Sequence, residues 1–178
     1  MTINLPQAFL DKMQLQLGDE YPSFIESLKA THPTSIRLHP EKKSDQFNND
    51  ELIPWCVDGR YLPQRPSFTF DPLFHAGCYY VQEASSMFLE QVYKIINKEN
   101  TPVKILDLCA APGGKSTHLL SLIGKDSLLI SNEIIPGRNT ILQQNLVKWG
   151  YPNVIVTQNQ ASDFSRLEEF FDVIVIDC

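Results

Sequence analysis

Asp107-Leu108-Cys109-Ala110-Ala111-Pro112-Gly113-Gly114-Lys115-Ser116-Thr117 is the stretch on which the fold turns. Before it stands a near-continuous apolar run, Val103-Lys104-Ile105-Leu106, and after it residues 116–123 show helical spacing. A strand, a tight turn of small residues and a helix are expected in that order. In α/β folds, ligands bind beyond the carboxyl ends of the strands. Small residues let the backbone approach a ligand closely, and the free N–H groups of a helix start attract negative charge.

Towards the C-terminus the pattern repeats as strand, helix, strand. Strands are expected at residues 103–108, 127–132, 153–157 and 172–177, and helices at 116–123, 136–149 and briefly near 165–170. Gly124 and Gly150 stand where helix ends favour glycine. Val173-Ile174-Val175-Ile176 is a second continuous apolar run, as in parallel strands covered on both faces. Such alternation predicts an α/β fold with a doubly wound sheet.

Towards the N-terminus the character changes. Residues 6–17 and 21–30 have helical periodicity, and residues 33–38 read as a strand ended by Pro40. Residues 41–50 are polar and loop-like. Pro54, Pro63, Pro66 and Pro72 exclude regular helix from the next stretch. The boundary of a small α+β N-terminal domain is expected near residue 70, giving domains 1–70 and 71–178. Residues 84–97 read as an amphipathic helix with an apolar stripe of Met87, Phe88, Val92, Ile95 and Ile96.

A length of 178 residues suits one domain, or a small domain and part of a second. No apolar run is long enough to cross a bilayer, and the first residues lack the pattern of a secretion signal. A soluble, cytoplasmic protein with no membrane partner is expected. Cys56, Cys78, Cys109 and Cys178 form no C-x-x-C pair, and the four histidines show no ligand spacing, so no metal is expected. The net charge of −6 argues mildly against a nucleic-acid binder. Basic residues do gather at Arg37, His39, Lys42 and Lys43, as a solvated loop or an RNA contact would have them.

Several ligand readings of the turn compete. Gly114-Lys115-Ser116 matches the tail of a phosphate-binding P-loop, but that motif needs glycine where Cys109 stands. The order Gly113-Gly114 does not fit the dinucleotide fingerprint. A loop for S-adenosylmethionine (SAM) fits better, because SAM has a carboxylate and an adenosine but no phosphate. A tight turn with no ligand is the plainest alternative. Glu133 ends the second strand, where an acidic residue holds ribose hydroxyls in nucleotide-binding α/β folds.

The run Cys109-Ala110-Ala111-Pro112-Gly113-Gly114-Lys115 resembles the signature loop of the NOL1/NOP2/Sun family of RNA cytosine-C5 methyltransferases. Supporting matches are Ser131-Asn132-Glu133, Arg138, Asn145-Leu146, Trp149-Gly150 and residues 74–87. The opening Leu5-Pro6-Gln7-Ala8-Phe9-Leu10 and Pro33-Thr34-Ser35-Ile36-Arg37 resemble the bacterial ribosomal-RNA branch. The resemblance implies a class I SAM-methyltransferase sheet in the order 3-2-1-4-5-7-6, truncated here after the fourth strand. It implies methyl transfer from SAM to C5 of cytosine in RNA, with ribosomal RNA as partner. A cysteine thiolate adds to C6 to make C5 nucleophilic, and a second cysteine assists the later elimination. Another class I methyltransferase with a different acceptor, or a non-catalytic SAM- or RNA-binding module, would share much of this pattern.

The implied site is Cys109 to Lys115 around the methionine part of SAM and Glu133 on the ribose. Asp177 stands beside SAM and the base, and Lys115 faces the base. Near the adenine the family has an acidic residue; here register puts Gln160 there, with Asp163 slightly later. Family pattern sets one cysteine in D-x-P-C and the other in a later T-C pair. By that register Cys178 is the x of D-x-P-C, so the nucleophile is absent and the chain alone should be inactive. The run 172–177, last in this chain, should then form an exposed apolar edge.

Overall fold

The computed structural model describes residues 5–30 and 32–177, so Cys178 lies outside the described residues. The chain forms two compact units, Met1–Pro33 and Thr34–Cys178. The boundary expected near residue 70 falls inside the second unit, within the span of its first sheet, whose last strand is Tyr79–Val81.

The first unit is a helical hairpin. Helix α1 (Gln7–Leu17) and helix α2 (Tyr21–Lys29) are joined by a single 3-10 turn, Gly18–Glu20. Gly18 turns the chain at φ +52°, which a side chain would resist. Phe9 and Phe24 pack with their ring centroids 6.3 Å apart.

The second unit opens with an antiparallel sheet. It is built of β1 (Thr34–Leu38), β2 (Glu51–Leu52) and β3 (Gly59–Leu62), and, after the one-turn helix α3 (Pro72–His75), β4 (Tyr79–Val81). The strand order is β2-β3-β1-β4. Ile36, Phe47, Leu62, Phe68 and Tyr79 fill its core. Helix α4 (Leu89–Ile96) then leads into β5 (Lys104–Asp107), α5 (Gly114–Leu122), β6 (Leu128–Asn132), α6 (Pro136–Trp149), β7 (Val154–Thr157) and β8 (Val173–Val175). These four strands are parallel, in the order β7-β6-β5-β8, which is 3-2-1-4 in the family's terms. Ile105, Leu119, Leu120, Leu129, Leu142 and Trp149 are each almost wholly removed from water. Each such side chain contributes about 1.5–3 kcal/mol.

Three expectations are corrected. The amphipathic helix over 84–97 starts as a 3-10 turn at Ser85–Phe88, and Met87, Glu90 and Tyr93 are its buried residues. Phe88, Val92, Ile95 and Ile96 are exposed instead. The short helix near 165–170 is a 3-10 segment at Ala161–Arg166. Gly124 is no helix cap, because α5 ends on Ile123 in an extended conformation; Gly150 does cap α6, at φ +93°.

Glu90 faces inward because it has partners there. The ammonium of Lys94 donates to its Oε1 at 2.6 Å, and Nε2 of His118 lies 3.4 Å from its Oε2. Cys56 Sγ is 3.8 Å from the same Nε2. These three donor atoms come from a loop and two helices, 62 residues apart at the extremes. Burial pushes the Cys56 thiol up to about 12 and keeps it protonated. Burial works against the Glu90 carboxylate, but hydrogen bonds from His118, Lys94 and Cys56 hold it down at about 2. Both partners of His118 meet Nε2, and Nδ1 has no hydrogen-bond partner.

Among the described residues β8 pairs with β5 alone, and Ile174 in it and Ile176 just after it are 54% and 62% exposed. An apolar strand edge of this kind templates further pairing. Residues 1–178 expressed alone should therefore self-associate, and Ile174→Lys should reduce the association. Light scattering behind size exclusion reads both; a monomeric parent chain would contradict the expectation.

A second outcome concerns acid. Burial, opposed by the Glu90 hydrogen bond, lowers the His118 imidazole from 6.5 to about 4. The unfolded chain takes up this proton first, so stability is lost as pH falls from about 6.5 towards about 4. His118→Gln has no such proton to take up. The stability advantage of the parent over the variant should shrink by roughly 2–3 kcal/mol across that window. Denaturant melts at several pH values test this, and a gap that stays constant or widens would refute it.

Candidate functional site

Parallel pairing sets the carboxyl ends of β5, β6, β7 and β8 along one edge. Asp107 lies opposite Ser131 and Val175, and Asn132 opposite Thr157. The loop after β5 runs along this edge before α5 begins. Gly113, at φ +107°, is the residue that turns the chain into α5. A Cβ there would be strained by the backbone and would meet Leu142 Cδ1 at 3.2 Å.

The loop is pinned by its carbonyls. The Tyr80 hydroxyl and the Asn145 amide both donate to Pro112 O, at 3.2 and 2.8 Å. Arg138 donates to Ala111 O at 2.9 Å, and Ala110 N–H donates to Asn132 O at 2.8 Å. The Asn132 amide ties the neighbouring strand ends together. Its nitrogen donates to Leu108 O and Asn159 O, and its oxygen accepts from the Thr157 hydroxyl and the Asn159 N–H.

Asp107 closes β5 and is 1% exposed. Burial raises its carboxyl to about 6, although a 2.6 Å hydrogen bond from Ser116 and the charge of Lys115 pull the other way. Ser131 donates in turn to Ser116 Oγ at 2.9 Å.

A cavity of about 620 Å3 opens between the loop and the segment after β4. Of the residues expected at the site, Cys109, Ala110, Ala111, Pro112, Gly114, Lys115 and Asp177 line it. Lys115 and Asp177 form an ion pair. Gly113 shapes the loop without lining the cavity. Glu133, Gln160 and Asp163 lie beyond the ends of β6 and β7 and do not line it either. Glu133 is 2% exposed; its carboxylate accepts from Ile135 N–H at 2.9 Å and faces Arg138 at 3.4 Å. Gln160 and Asp163 cap one another at the start of the Ala161–Arg166 turn.

The opposite wall is Tyr80, Gln82, Glu83 and Ser85. The Gln82 side chain is held by Arg37, whose Nε donates to Oε1 at 3.0 Å. Asp107, Gln82 and Asn132 are site residues that the motif alone did not single out. Asp107 had a signal, since it is the acid at the end of the first strand. Gln82 and Asn132 lay within stretches that carry the family resemblance, residues 74–87 and Ser131-Asn132-Glu133.

Of the basic cluster, Lys43 is exposed, while Arg37, His39 and Lys42 turn towards the protein. Arg37 is 1% exposed, and His39 is buried against Trp149 and Tyr151. Lys42 donates to the carbonyls of Ala76 and Lys148. Among the described residues no helix is long and apolar enough to cross a membrane.

Two family descriptions match the chain. The N-terminal domain of 16S rRNA methyltransferase RsmF matches residues 5–84, and 16S rRNA methyltransferase RsmB/F matches residues 93–178. Ribosomal RNA small subunit methyltransferase F of Erwinia tasmaniensis is 31% identical over 97% of this chain, and that of Salmonella arizonae is 34% identical over 99%. The chain spans 39% and 40% of these relatives' lengths. A methyltransferase homolog protein from Pyrococcus horikoshii is 26% identical, with a TM-score of 0.71 over 96% of this chain and 62% of that one. NSun6 from Pyrococcus horikoshii, crystallised with SFG, is 15% identical and shares the fold, with a TM-score of 0.72 over 97% and 70%.

The Asp107 environment yields a measurable outcome. The Ser116 hydrogen bond favours the carboxylate, so Ser116→Ala should raise the Asp107 titration midpoint above about 6. Carbon-detected NMR of the side-chain carboxyl reads the midpoint. An unchanged or lower value would remove Ser116 from the account.

Proposed function

Because the chain belongs to the RsmB/F family of 16S rRNA methyltransferases, a SAM-dependent family, we propose that its strand-edge cavity holds SAM and that the whole protein methylates C5 of cytosine in ribosomal RNA. The observation that carries this reading is the cavity between the pinned loop and Gln82–Glu83. At about 620 Å3 it is within the range of cofactor pockets.

The loop residues that line the cavity suit the methionine part of that cofactor, while Glu133, Gln160 and Asp163 lie beyond the adjoining strand ends and do not line it. The Cys109–Lys115 backbone offers close approach to the methionine part. Glu133, buried at the end of β6, is assigned to the ribose hydroxyls, and Arg138 and the Ile135 N–H set the direction of its carboxylate. Gln160 and Asp163 stand at the end of β7, where the adenine would lie, and either side chain can accept a hydrogen bond from an amino group. When bound, SAM supplies an electrophilic methyl on a sulfonium.

The chain's own residues orient and exclude. Lys115 and Asp177 stand paired at the cavity, where the target base would enter, so the charge of each is already matched when a neutral ring arrives. Asp177 then acts in support, as an acceptor near the ring amino group. Neither is a nucleophile. We assign residues 1–70 to RNA contact and residues 71–178 to the cofactor-binding part of the catalytic domain.

Two measurements test the assignment. Calorimetric titration of the intact protein with SAM should show Glu133→Ala weaker by about 1.5–3 kcal/mol, the cost of a lost charge-assisted hydrogen bond. Equal affinities would remove Glu133 from the ribose. Residues 1–178 alone, given ribosomal RNA and radiolabelled SAM, should show no transfer. Turnover above background would mean that a nucleophile had been overlooked among Cys56, Cys78, Cys109 and Cys178.

A further inference from the structure

A second concavity, of about 500 Å3, adjoins the cofactor cavity, and Tyr80 and Val81 line both. Its walls come from the segment between β3 and α3, from α3 itself, from β4 and from α6. The chain carries a net charge of −6, yet no acidic residue is among the described residues lining this groove. Two cations line it, Arg65 and Lys148, and so do three aromatic rings, Phe68, Phe74 and Tyr80.

The cations stand over the rings. The Arg65 guanidinium is 5.4 Å from the Phe68 centroid, and the Lys148 ammonium is 4.1 Å from that of Phe74. Neither cation forms an ion pair among the described residues. Pro63 and Pro66 flank Arg65 and stiffen its backbone. Lys148 is half-buried, and desolvation pulls its ammonium below the ordinary lysine range. An anion beside it would favour the charged form.

Cations aligned with aromatic surface and free of anions are what single-stranded nucleic acid requires. The cations meet phosphates, and any base can stack. An acidic peptide would use the cations and leave the rings idle. The groove also has a direct connection to the cofactor loop. Tyr80 and Asn145 line it, and both donate to Pro112 O.

We propose that this groove holds the stretch of single-stranded RNA next to the target nucleotide, with its phosphates on Arg65 and Lys148 and a base against the aromatic wall. The proposal rests on the ribosomal-RNA reading above and adds a second contact site to it. The strand would pass over Tyr80 and Val81 to reach the cavity that those two residues share.

The test uses the intact protein and a fluorescent single-stranded oligoribonucleotide, titrated at several salt concentrations. Arg65→Ala and Lys148→Met should each weaken RNA binding roughly tenfold or more. Each should also flatten the dependence of log affinity on log salt by about 0.7, the share of one phosphate contact on a single strand. SAM affinity, measured in parallel, should not change. Unchanged RNA affinity and slope in both variants, with the parent still binding RNA, would overturn the groove and leave the functional reading standing. Failure of the parent to bind any RNA would overturn both. Crosslinking of 4-thiouridine RNA to the parent protein needs no variant: adducts on residues 65–81 support the proposal, and adducts only elsewhere refute it.

Discussion

A guanidinium without a bonded carboxylate lies between the two sheets of the second unit. Arg37 leaves β1 and reaches α5, and each of its five N–H groups finds a neutral acceptor. Nε donates to Gln82, Nη1 to Thr117 O and Ser121 Oγ, and Nη2 to Gly114 O and Thr117 Oγ1. Its other face is covered by Trp149, 4.6 Å from the guanidinium carbon. A buried charge is tolerated only when every donor is satisfied and the surrounding dipoles are fixed. Burial lowers its pKa to about 10, far above neutrality, so it remains a cation. The antiparallel sheet and the first helix after the cofactor loop are thereby locked in one register, and the Gln82 wall is held opposite Gly114.

That interaction explains why the sequence was informative in one half and less so in the other. The parallel sheet was legible because its signals are local: an apolar run, a turn of small residues, a helix, and then the same again. The strand order β7-β6-β5-β8 came instead from the family resemblance, and the exposed edge of β8 from that order. The antiparallel sheet was largely illegible. β2 has two residues and β4 three, and prolines surround β3, so no period develops. Their pairing comes from long-range partners, above all β1, which carries Arg37.

The α4 stripe failed for a related reason. Periodicity assumes that apolar residues face inward, yet Glu90 is 3% exposed because Lys94, His118 and Cys56 wait for it. No spacing rule finds residues 56, 90 and 118 together. The same holds for the basic cluster. Arg37, His39 and Lys42 serve the interior, while the cations facing the open groove, Arg65 and Lys148, are isolated in the sequence. Residues of the loop after β5 were readable as a unit because they are contiguous, and groove residues were not because separate segments assemble them.

Asn132 carries a consequence of another kind. Its side-chain amide uses both hydrogens and both lone pairs, with two carbonyls before the nitrogen and two donors before the oxygen. Aspartate has the same size and shape, but it would place an oxygen against the oxygens of Leu108 and Asn159. The strand ends beside the cavity thus depend on the identity of one atom. Deamidation, the ordinary chemical ageing of asparagine, begins when the next residue's backbone nitrogen attacks the side-chain carbonyl and expels that atom. Here the Glu133 N–H donates to Thr157 O at 3.1 Å, and Asn132 is fixed in β6 at 3% exposure, so the attacking nitrogen is held in the sheet and the atom on which those strand ends rely is kept.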